Sequence, residues 1–360
     1  MPDEMLSVSK HSQPSCGFSP ASAISQQSRS RNYGSVEQRR LQRHVQSQWE
    51  KTEGESVEVR LATLNIGTMT GKDIELTDMM ERRRLDVLCL QGTKWEEEKD
   101  RNMGERFKLF HHVVDEKSGV GVMLKEEYSK CVMEVRKVSK ALSVKLKIEG
   151  LVINIISACT PRVGCKIAEK KFWNSLGELL ESIPKMERVV IGADFNGNVG
   201  EGNIGDEVVM GRYGVQERDT EGQMLVDFAK RLGMALVNTY FKKEEKHRVT
   251  YASEGKWAQV DYILCRRYDL KEMGDCKVIL REDLARPHQL LVCRMRLLNE
   301  RERAKPRKMV VARVVPGSKE KQDGTAAAIV RETAMKPCIS PRWFEKMIGS
   351  LQTEVYRQGS

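Results

Sequence analysis

The stretch VVIGADFNG, residues 189–197, decides the fold class. It begins as an apolar run suited to a buried strand and ends in Asp194 and Asn196, with Gly192 and Gly197 on either side. Loops at strand ends are where a rigid sheet presents chemically active side chains. Because residues two apart in an extended segment point to the same side, the Asp194 carboxylate and the Asn196 amide can converge on one water molecule.

This pair of side chains suits the activation of water. A carboxylate can align and deprotonate a water molecule, and an amide can hold that water or the oxygen that it attacks. The alternative is an Asp/Asn turn, in which both side chains bond only to the local backbone. For an isolated DFN motif the turn is the favoured interpretation, so the rest of the chain has to decide between them.

Strand and helix patterns extend outward from this segment in both directions. Apolar or alternating runs predict strands at 57–66, 86–91, 107–114, 119–125, 131–138, 142–148, 151–158, 188–193, 234–237, 248–252, 259–265, 276–280 and 290–297. Amphipathic patterns predict helices at 72–84, 168–183 and 220–232, the last with Thr220 as its N-cap. Hairpins beside strand–helix–strand units indicate an α/β fold in which two mixed sheets pack face to face, with helices outside.

The two ends of the chain differ in composition from its middle. Residues 1–55 are rich in Ser, Gln and Arg and predict a disordered tail, because they cannot bury enough apolar surface to order themselves. Residues 299–360 include the basic run RERAKPRK and predict a basic, mostly disordered C-terminal tail. Short helices are weakly indicated at 35–50 and 343–356. A single domain is therefore expected at residues 56–298.

Charge and hydropathy limit the classes of partner. Lys and Arg number 61 against 51 Asp and Glu, a net charge of +10, which favours polyanionic partners or marks only a basic tail without a specific role. No apolar run reaches the ~18 residues of a membrane span, and no signal peptide is visible. We therefore expect an intracellular protein that is not secreted, with the nucleus as a candidate location.

Nine cysteines without a CxxC pair argue against a zinc site or a disulfide scaffold.

Three further positions carry candidate chemistry. Asp261, in QVDYILC, lies within an apolar strand and needs a partner if it is buried. His288, in ARPHQLLV, precedes the last strand, and an Asp that orients a His is a sensible pair for phosphate cleavage. Asn65 ends the first core strand and can bind a metal or phosphate, or cap a turn. Each is weak alone, and their common position at strand ends is what favours a site.

The order of these motifs resembles that of the endonuclease/exonuclease/phosphatase superfamily. The sequence has LNI, LCLQGTKW, GADFNG, VTY with QVDYIL, and then a His before the last strand, over roughly residues 57–297. Within the superfamily it is similar to the apurinic/apyrimidinic-like endonuclease domain of LINE-type retrotransposons. The resemblance implies a four-layer α/β sandwich with two mixed, mostly antiparallel sheets, a Mg²⁺ or Mn²⁺ ion, and hydrolysis of a DNA phosphodiester.

The resemblance also assigns roles to single residues. It implies that Asp194 activates the water, that Asn196 positions it, and that Asp261 and His288 stabilise charge on the phosphate. These four are the expected catalytic residues. The expected metal ligands are Asn65, Asp194 and Asp261.

Three departures from the family pattern fall at this site. Gly92 stands where the family carries a metal-binding Glu, Cys159 where it usually carries Tyr, and Pro287 where it commonly carries Asp. A hard cation needs carboxylate oxygens in good geometry, so the resemblance with these changes implies a degraded site with weak activity.

Two partner predictions accompany this interpretation. The expected partner is DNA, bound without sequence preference through its phosphates. Candidate contacts are Lys94, Arg162, Lys166, Arg212 and Arg248. The alternatives are a nuclease-dead protein that binds nucleic acid or protein, a retrotransposon remnant without a selected function and, less favoured, a small-molecule phosphatase.

Overall fold

The structure, a computed structural model, describes residues 56–304 apart from 96–99, 116–117, 162–165 and 281. The tail predicted at 1–55, most of that predicted at 299–360, and the helices indicated at 35–50 and 343–356 lie outside the described residues.

Strands dominate the described part of the chain. They are β1 (Val57–Asn65), β2 (Val87–Gln91), β3 (Arg101–Met103), β4 (Phe107–Asp115), β5 (Ser118–Lys125), β6 (Val132–Val138), β7 (Ala141–Ile148), β8 (Leu151–Cys159), β9 (Arg188–Asp194), β10 (Met234–Leu236), β11 (Tyr251–Ser253), β12 (Lys256–Ala258), β13 (Asp261–Arg266), β14 (Met273–Ile279) and β15 (Leu290–Leu297). The α-helices are α1 (Asp73–Arg83), α2 (Glu126–Ser129), α3 (Lys166–Ser182), α4 (Thr220–Leu232) and α5 (Glu300–Ala304). Short 3₁₀ turns lie at Val237–Tyr240, Glu245–His247, Arg267–Glu272 and Asp283–Ala285.

The strands form two large mixed sheets and one small hairpin. The seven-stranded sheet has the order β14-β15-β1-β2-β5-β4-β3, and the six-stranded sheet has the order β10-β13-β9-β8-β7-β6. Within these sheets only β1 with β2 and β8 with β9 are parallel, and β11 pairs with β12 alone. The mixed, mostly antiparallel sheets expected from the sequence are confirmed.

The core explains why several strands are apolar along their whole length. One buried cluster joins the facing sides of both sheets and includes Leu61, Val87, Val144, Ile155 and Ile263. A second cluster lies between the six-stranded sheet and α3 and α4, and a third between the seven-stranded sheet and α1. Strands covered on both faces need no polar side, which is why every residue of β2 and β9 is buried. The result is the expected four-layer sandwich.

The N-cap of α4 is Asp219 and not Thr220, which corrects the sequence prediction by one residue. The Asp219 side chain accepts a hydrogen bond from Gly222 N at 2.7 Å. It also accepts one from the backbone of Asn198, at 2.9 Å, which fixes it just outside the helix. Both residue types cap helices well, so composition alone could not choose between them.

The other differences between the predicted and the observed secondary structure concern short elements. Strands β3 and β12 and helix α2 span three or four residues each and were not expected, because so few residues carry no periodicity. The strand expected at 248–252 begins at Tyr251, since residues 245–247 form a 3₁₀ turn. Among the described residues, the helices are too short or too polar to cross a bilayer.

Helix α5 lies beyond residue 298, where the domain was expected to end. Arg303 donates to both carboxylate oxygens of the buried Asp269, at 2.7 and 3.0 Å. Arg188, which is itself buried, forms an ion pair with Glu300 at 3.2 Å. The start of the basic C-terminal segment is therefore tied to the sheets by ion pairs.

Candidate functional site

Two carboxylates meet at one edge of the six-stranded sheet. Strand β9 ends at Asp194 and β13 begins at Asp261, and the two residues lie directly opposite each other in the antiparallel register. Their relative exposures are 1% and 0%, so little water screens them from each other. Burial, and then the charge of Asp261, raise the pKa of Asp194 to about 6.

His288 bridges the two acids from the other sheet, just before β15. Its Nδ1 lies 3.1 Å from Asp261 Oδ2, and its Nε2 lies 3.9 Å from Asp194 Oδ2. Burial alone would lower the pKa of His288, but the charge and hydrogen bond of Asp261, together with the charge of Asp194, raise it to about 9. At neutral pH the ring is therefore an imidazolium that donates to Asp261 through Nδ1. The Tyr251 ring packs edge-on against it, with centroids 5.1 Å apart.

Asn65 joins the two sheets at the same place. It ends β1 of the seven-stranded sheet, and its Nδ2 donates to Asp194 Oδ2 at 2.8 Å. Its Oδ1 accepts a hydrogen bond from Gly67 N at 3.1 Å. These two partners settle the orientation of the amide, because a backbone N–H needs an acceptor and a carboxylate needs a donor.

The DFN motif makes a turn and also faces the site. Asn196 has a left-handed φ of 50°, and its backbone N–H donates to Asp194 Oδ1 at 3.0 Å. The Asn196 side chain donates to Thr160 Oγ1 at 3.0 Å, and the Thr160 N–H donates to Asp194 O at 3.0 Å. One oxygen of Asp194 therefore holds the turn, while the other accepts from Asn65 and lies near His288.

Asp261 has one carboxylate oxygen with no hydrogen-bond partner among the described residues. That atom is Oδ1, and it is buried. The backbone N–H of Asp261 donates to Thr250 Oγ1 at 3.0 Å, and Asn238 Nδ2 donates to its carbonyl oxygen at 3.3 Å. A carboxylate oxygen that is held in place and lacks a donor is a suitable ligand for a divalent cation.

The donor set as a whole can be tested for a metal. Asp194 and Asp261 each offer a carboxylate oxygen, and a ring nitrogen of His288 lies within 4.8 Å of both, but the protonated imidazolium has no lone pair for a metal. Two carboxylates, of which Asp261 has an unpartnered Oδ1, suit Mg²⁺ or Mn²⁺. Asn65, expected from the sequence to be a ligand, has its Oδ1 engaged by Gly67 N–H and its Nδ2 by Asp194. In this arrangement it orients a carboxylate, and binding of a metal through the second lone pair of Oδ1 stays a prediction.

All three departures from the family pattern lie at this site. Gly92 follows β2 and is so close to Asn65 that an added Cβ would lie 2.4 Å from Asn65 Oδ1. Cys159 ends β8 opposite Asp194 in the parallel register. Pro287 precedes His288 directly.

A buried polar network behind the site was not foreseen from the sequence. Gln91 is fully buried, and its Nε2 donates to Ser157 Oγ at 3.1 Å and to Gly192 O at 3.0 Å. Its Oε1 accepts from Thr63 Oγ1 at 3.2 Å. The network links the two sheets within one residue of Gly92. The signal that could have revealed it is a glutamine that ends an otherwise apolar strand.

A lysine outside the predicted set also connects the site loops. Lys72 Nζ donates to Ile66 O at 3.1 Å and to Leu284 O at 2.8 Å. It thereby joins the loop that follows Asn65 to the loop that leads to His288.

The proposed DNA-contacting cations differ in their surroundings. Lys94 and Lys166 are exposed, while Arg212 and Arg248 are partly buried. Arg248 donates to Gly214 O at 2.6 Å and lies 3.7 Å from a Glu201 oxygen. Arg162 lies outside the described residues.

Sequence comparison identifies relatives that are longer than the chain. No protein-family model matches it. It is 25% identical over 248 residues to craniofacial development protein 2 of Bos taurus, a match that covers 66% of this chain and 41% of that protein. The same protein of Tragulus javanicus matches at 25% identity over 42% of its length. The chain therefore spans about two fifths of the curated relatives that it matches.

Solved structures share the fold at low sequence identity. The apurinic/apyrimidinic endonuclease LMAP of Leishmania major has a TM-score of 0.51 at 15% identity, over 67% of this chain and 88% of that one. The 3'-5' exonuclease NExo of Neisseria meningitidis has a TM-score of 0.51 at 13% identity, over 65% and 98%. The APE2 catalytic domain of Xenopus laevis has a TM-score of 0.51 at 14% identity, over 67% and 94%. The fold is that of the endonuclease/exonuclease/phosphatase sandwich, and the resemblance inferred from the motifs is confirmed.

Proposed function

We propose that the domain expected at residues 56–298, extended by α5 to residue 304, is a retrotransposon-derived DNA endonuclease that depends on a divalent metal and hydrolyses phosphodiesters slowly. The observation that carries the proposal is the meeting of Asp194, Asp261 and His288 at one sheet edge, with the pKa of Asp194 raised to about 6 and that of His288 to about 9. Two groups with pKa values on either side of neutrality can serve as base and acid at the same pH.

Each residue then has a proposed role. Asp194 accepts the proton of the attacking water, and Asn196 helps to hold that water. His288 donates through Nε2 to the phosphoryl oxygen that gains charge, while Asp261 keeps the imidazole protonated and oriented. A Mg²⁺ or Mn²⁺ ion would be held by Asp194 and Asp261 and would supply neutralisation of the phosphate charge.

The proposed low rate follows from the three departures. Gly92 offers no carboxylate, Cys159 no phenol hydroxyl and Pro287 no acid where the family pattern has these groups. The loss of a single electrostatic donor in an active site costs about 10²- to 10³-fold in rate. A residual activity is supported by Asp194, Asp261 and His288, which still converge, and by Asn196, whose backbone N–H donates to Asp194.

DNA is the proposed substrate because of both charge and fold. The whole chain has a net charge of +10, of which +7 lies in residues 301–360 with their 13 Lys and Arg against 6 Asp and Glu, and this excess supplies salt-dependent attraction to phosphates without sequence information. The solved structures with this fold at a TM-score above 0.5 include proteins named as an endonuclease and an exonuclease.

A second candidate function is DNA binding without cleavage. It is favoured by the hydrogen bond from Asn65 to Asp194, which occupies one oxygen of the proposed base. On this alternative the convergent polar groups are retained for stability.

Nicking of supercoiled plasmid in Mg²⁺ or Mn²⁺ tests both. The full chain is compared with Asp194→Asn and His288→Gln, and with Asp227→Asn as a control on the exposed face of α4. Nicking that is lost in the first two variants and kept in the control supports the endonuclease. Salt-dependent binding without nicking supports the second candidate, and the absence of both contradicts each of them.

A further inference from the structure

Gly92 has no room for a side chain. It has a left-handed φ of +65°, and an added Cβ would lie 2.4 Å from Asn65 Oδ1, 3.3 Å from Gly67 N and 3.4 Å from Asn65 Cγ. The first distance is far below van der Waals contact, so either the backbone at residue 92 or the Asn65 amide would have to move. A left-handed backbone adds strain for any residue with a Cβ.

The Asn65 amide is not free to give way. It donates to Asp194 Oδ2 at 2.8 Å and accepts from Gly67 N at 3.1 Å. Displacing it would break both hydrogen bonds and leave an oxygen of the buried Asp194 carboxylate without a donor. Buried polar groups that lose a partner are costly, and a charged acceptor more so.

We propose that Gly92 is a positioning residue of this site. A residue without a side chain at this point lets the Asn65 amide lie over the end of β2 and clamp Asp194. The consequence for metal binding is that Asp194 and Asp261 hold the divalent cation and that residue 92 supplies no ligand. This consequence rests on the proposed function, whereas the steric relationship between Gly92 and Asn65 does not.

The inference changes the meaning of the departure at Gly92. If a carboxylate were simply missing, adding one should restore a ligand. The geometry points to the opposite outcome. The Cβ of Gly92→Glu would displace the Asn65 amide and break its hydrogen bond with Asp194, wherever the new carboxylate lies.

Gly67 provides a matched control in the same loop region. It has almost the same left-handed φ, +69°, but an added Cβ would meet nothing within 4 Å. Gly67→Ala therefore carries the backbone strain without the collision. Its backbone N–H is kept, so the hydrogen bond to Asn65 Oδ1 is available in both variants.

The steric part is tested by thermal unfolding of the full chain. Gly92→Ala is expected to lower the melting temperature by about 4–8 °C more than Gly67→Ala, the scale of two lost hydrogen bonds in a domain of this size. In an Asn65→Ala background this excess should vanish, because the colliding oxygen is gone. Equal losses for the two glycine variants, or an excess that persists without the Asn65 amide, would overturn the proposal.

The metal part is tested by Mn²⁺ titration, followed by electron paramagnetic resonance. Asp194→Asn is expected to weaken Mn²⁺ binding at least about tenfold, about the energy of one charged ligand contact, while Gly92→Glu should not strengthen it. Binding at least about tenfold tighter in Gly92→Glu would overturn the proposal, since a gain in Mn²⁺ affinity of that size means that the new carboxylate supplies an additional ligand.

A further variant guards against misfolding. If Gly92→Glu does not fold, Gly92→Ala is titrated beside Gly67→Ala. Weaker Mn²⁺ binding in Gly92→Ala alone supports the clamp, and equal binding in the two variants contradicts it. If the unaltered chain binds no Mn²⁺, the metal part and the metal-dependent function both fail, and the melting comparison still decides the steric part.

Discussion

Asp261 lies directly opposite Asp194 across two antiparallel strands, and the His288 ring reaches both carboxylates from the other sheet. Two buried acids thus share one imidazolium, which leaves the group with one net negative charge when both acids are ionised. Such a site attracts a cation, and its protonation states are coupled because each charge shifts the others.

The first prediction concerns the pH dependence of cleavage. Because Asp194 must be deprotonated to act as a base, kcat/KM should rise with pH through the pKa of Asp194, which is about 6 in the metal-free site and which a bound cation would lower. Because His288 must be protonated to donate, kcat/KM should fall at higher pH, through a pKa that is about 9 in the metal-free site and that the same cation would lower. Plasmid nicking at saturating Mg²⁺ across this range measures the profile.

Variants separate the two limbs of that profile. His288→Gln should remove the fall at high pH and lower the plateau by about 10²-fold. A profile that keeps both limbs in His288→Gln would show that another group sets the upper limb.

The second prediction concerns stability and pH. The folded state holds the His288 proton more tightly than the unfolded state, since the pKa of His288 is raised from 6.5 to about 9. The stabilisation is therefore fully present below pH 6.5 and is lost as the pH rises to about 9. Urea unfolding should show a loss on the order of 3 kcal/mol across this window.

The same experiment on the Asp194→Asn/His288→Gln double variant supplies the control. The charge of His288 lowers the pKa of Asp194, so replacing His288 alone would move the titration of Asp194 toward the window. The free energy of unfolding of the double variant should change little between pH 6.5 and 9. A variant that loses as much stability as the unaltered chain would contradict the assignment to His288.

The third prediction concerns the network between the sheets. Gln91→Leu keeps the volume but leaves the Gly192 carbonyl and the Thr63 hydroxyl without their partner. Buried groups that lose a partner cost about 1–3 kcal/mol each, so a loss of about 2–4 kcal/mol is expected in urea unfolding. The exposed Gln223→Leu on α4 is the control and should change the free energy of unfolding by about 0.5 kcal/mol or less.

The fourth prediction concerns the C-terminal boundary. Arg303→Ala leaves the buried Asp269 without its ion-pair partner, which should destabilise the domain by about 3–5 kcal/mol. Arg231→Ala, which breaks an exposed pair with Glu181, should cost about 1 kcal/mol or less. A chain that ends at residue 298 should melt well below one that ends at 304, and equal melting temperatures would sink the idea that α5 is part of the domain.

Local pattern was sufficient for most of the fold. Strand Val57–Asn65 alternates and then runs apolar, and Arg188–Asp194 is apolar between its two charged ends because both faces are covered; these patterns are visible without a structure. Helix Thr220–Leu232 has a clear apolar face. The short elements Arg101–Met103, Glu126–Ser129 and Lys256–Ala258 were missed, because their conformation is set by neighbours and not by periodicity.

The site was only partly accessible from the sequence. Asp194 and Asp261 could be proposed from their places at strand ends, and the motif order supplied the likeness to a nuclease. The hydrogen bond of Asn65 with Asp194 joins residues 129 positions apart and depends on the separation of the two sheets. The collision at Gly92 depends on a backbone angle that no single residue letter specifies.

The C-terminal helix α5 was also not predictable from local sequence. A basic run predicts a solvated tail, and most such runs are solvated. Here Arg303 finds Asp269, 34 residues away, inside the domain. A partner so distant in sequence becomes visible only when the strands between them are placed.

The hydrogen bond between His288 and Asp261 also affects which residues such a site retains during evolution. Removing either residue leaves a buried charge without its counterion, which is strongly destabilising whether or not any substrate is ever cleaved. Selection for a folded protein therefore preserves the same two side chains that selection for catalysis would preserve. Such a pair can therefore be retained after catalysis has been lost. Its presence shows that the fold is maintained, and only a measured turnover distinguishes an active enzyme from an inactive homologue.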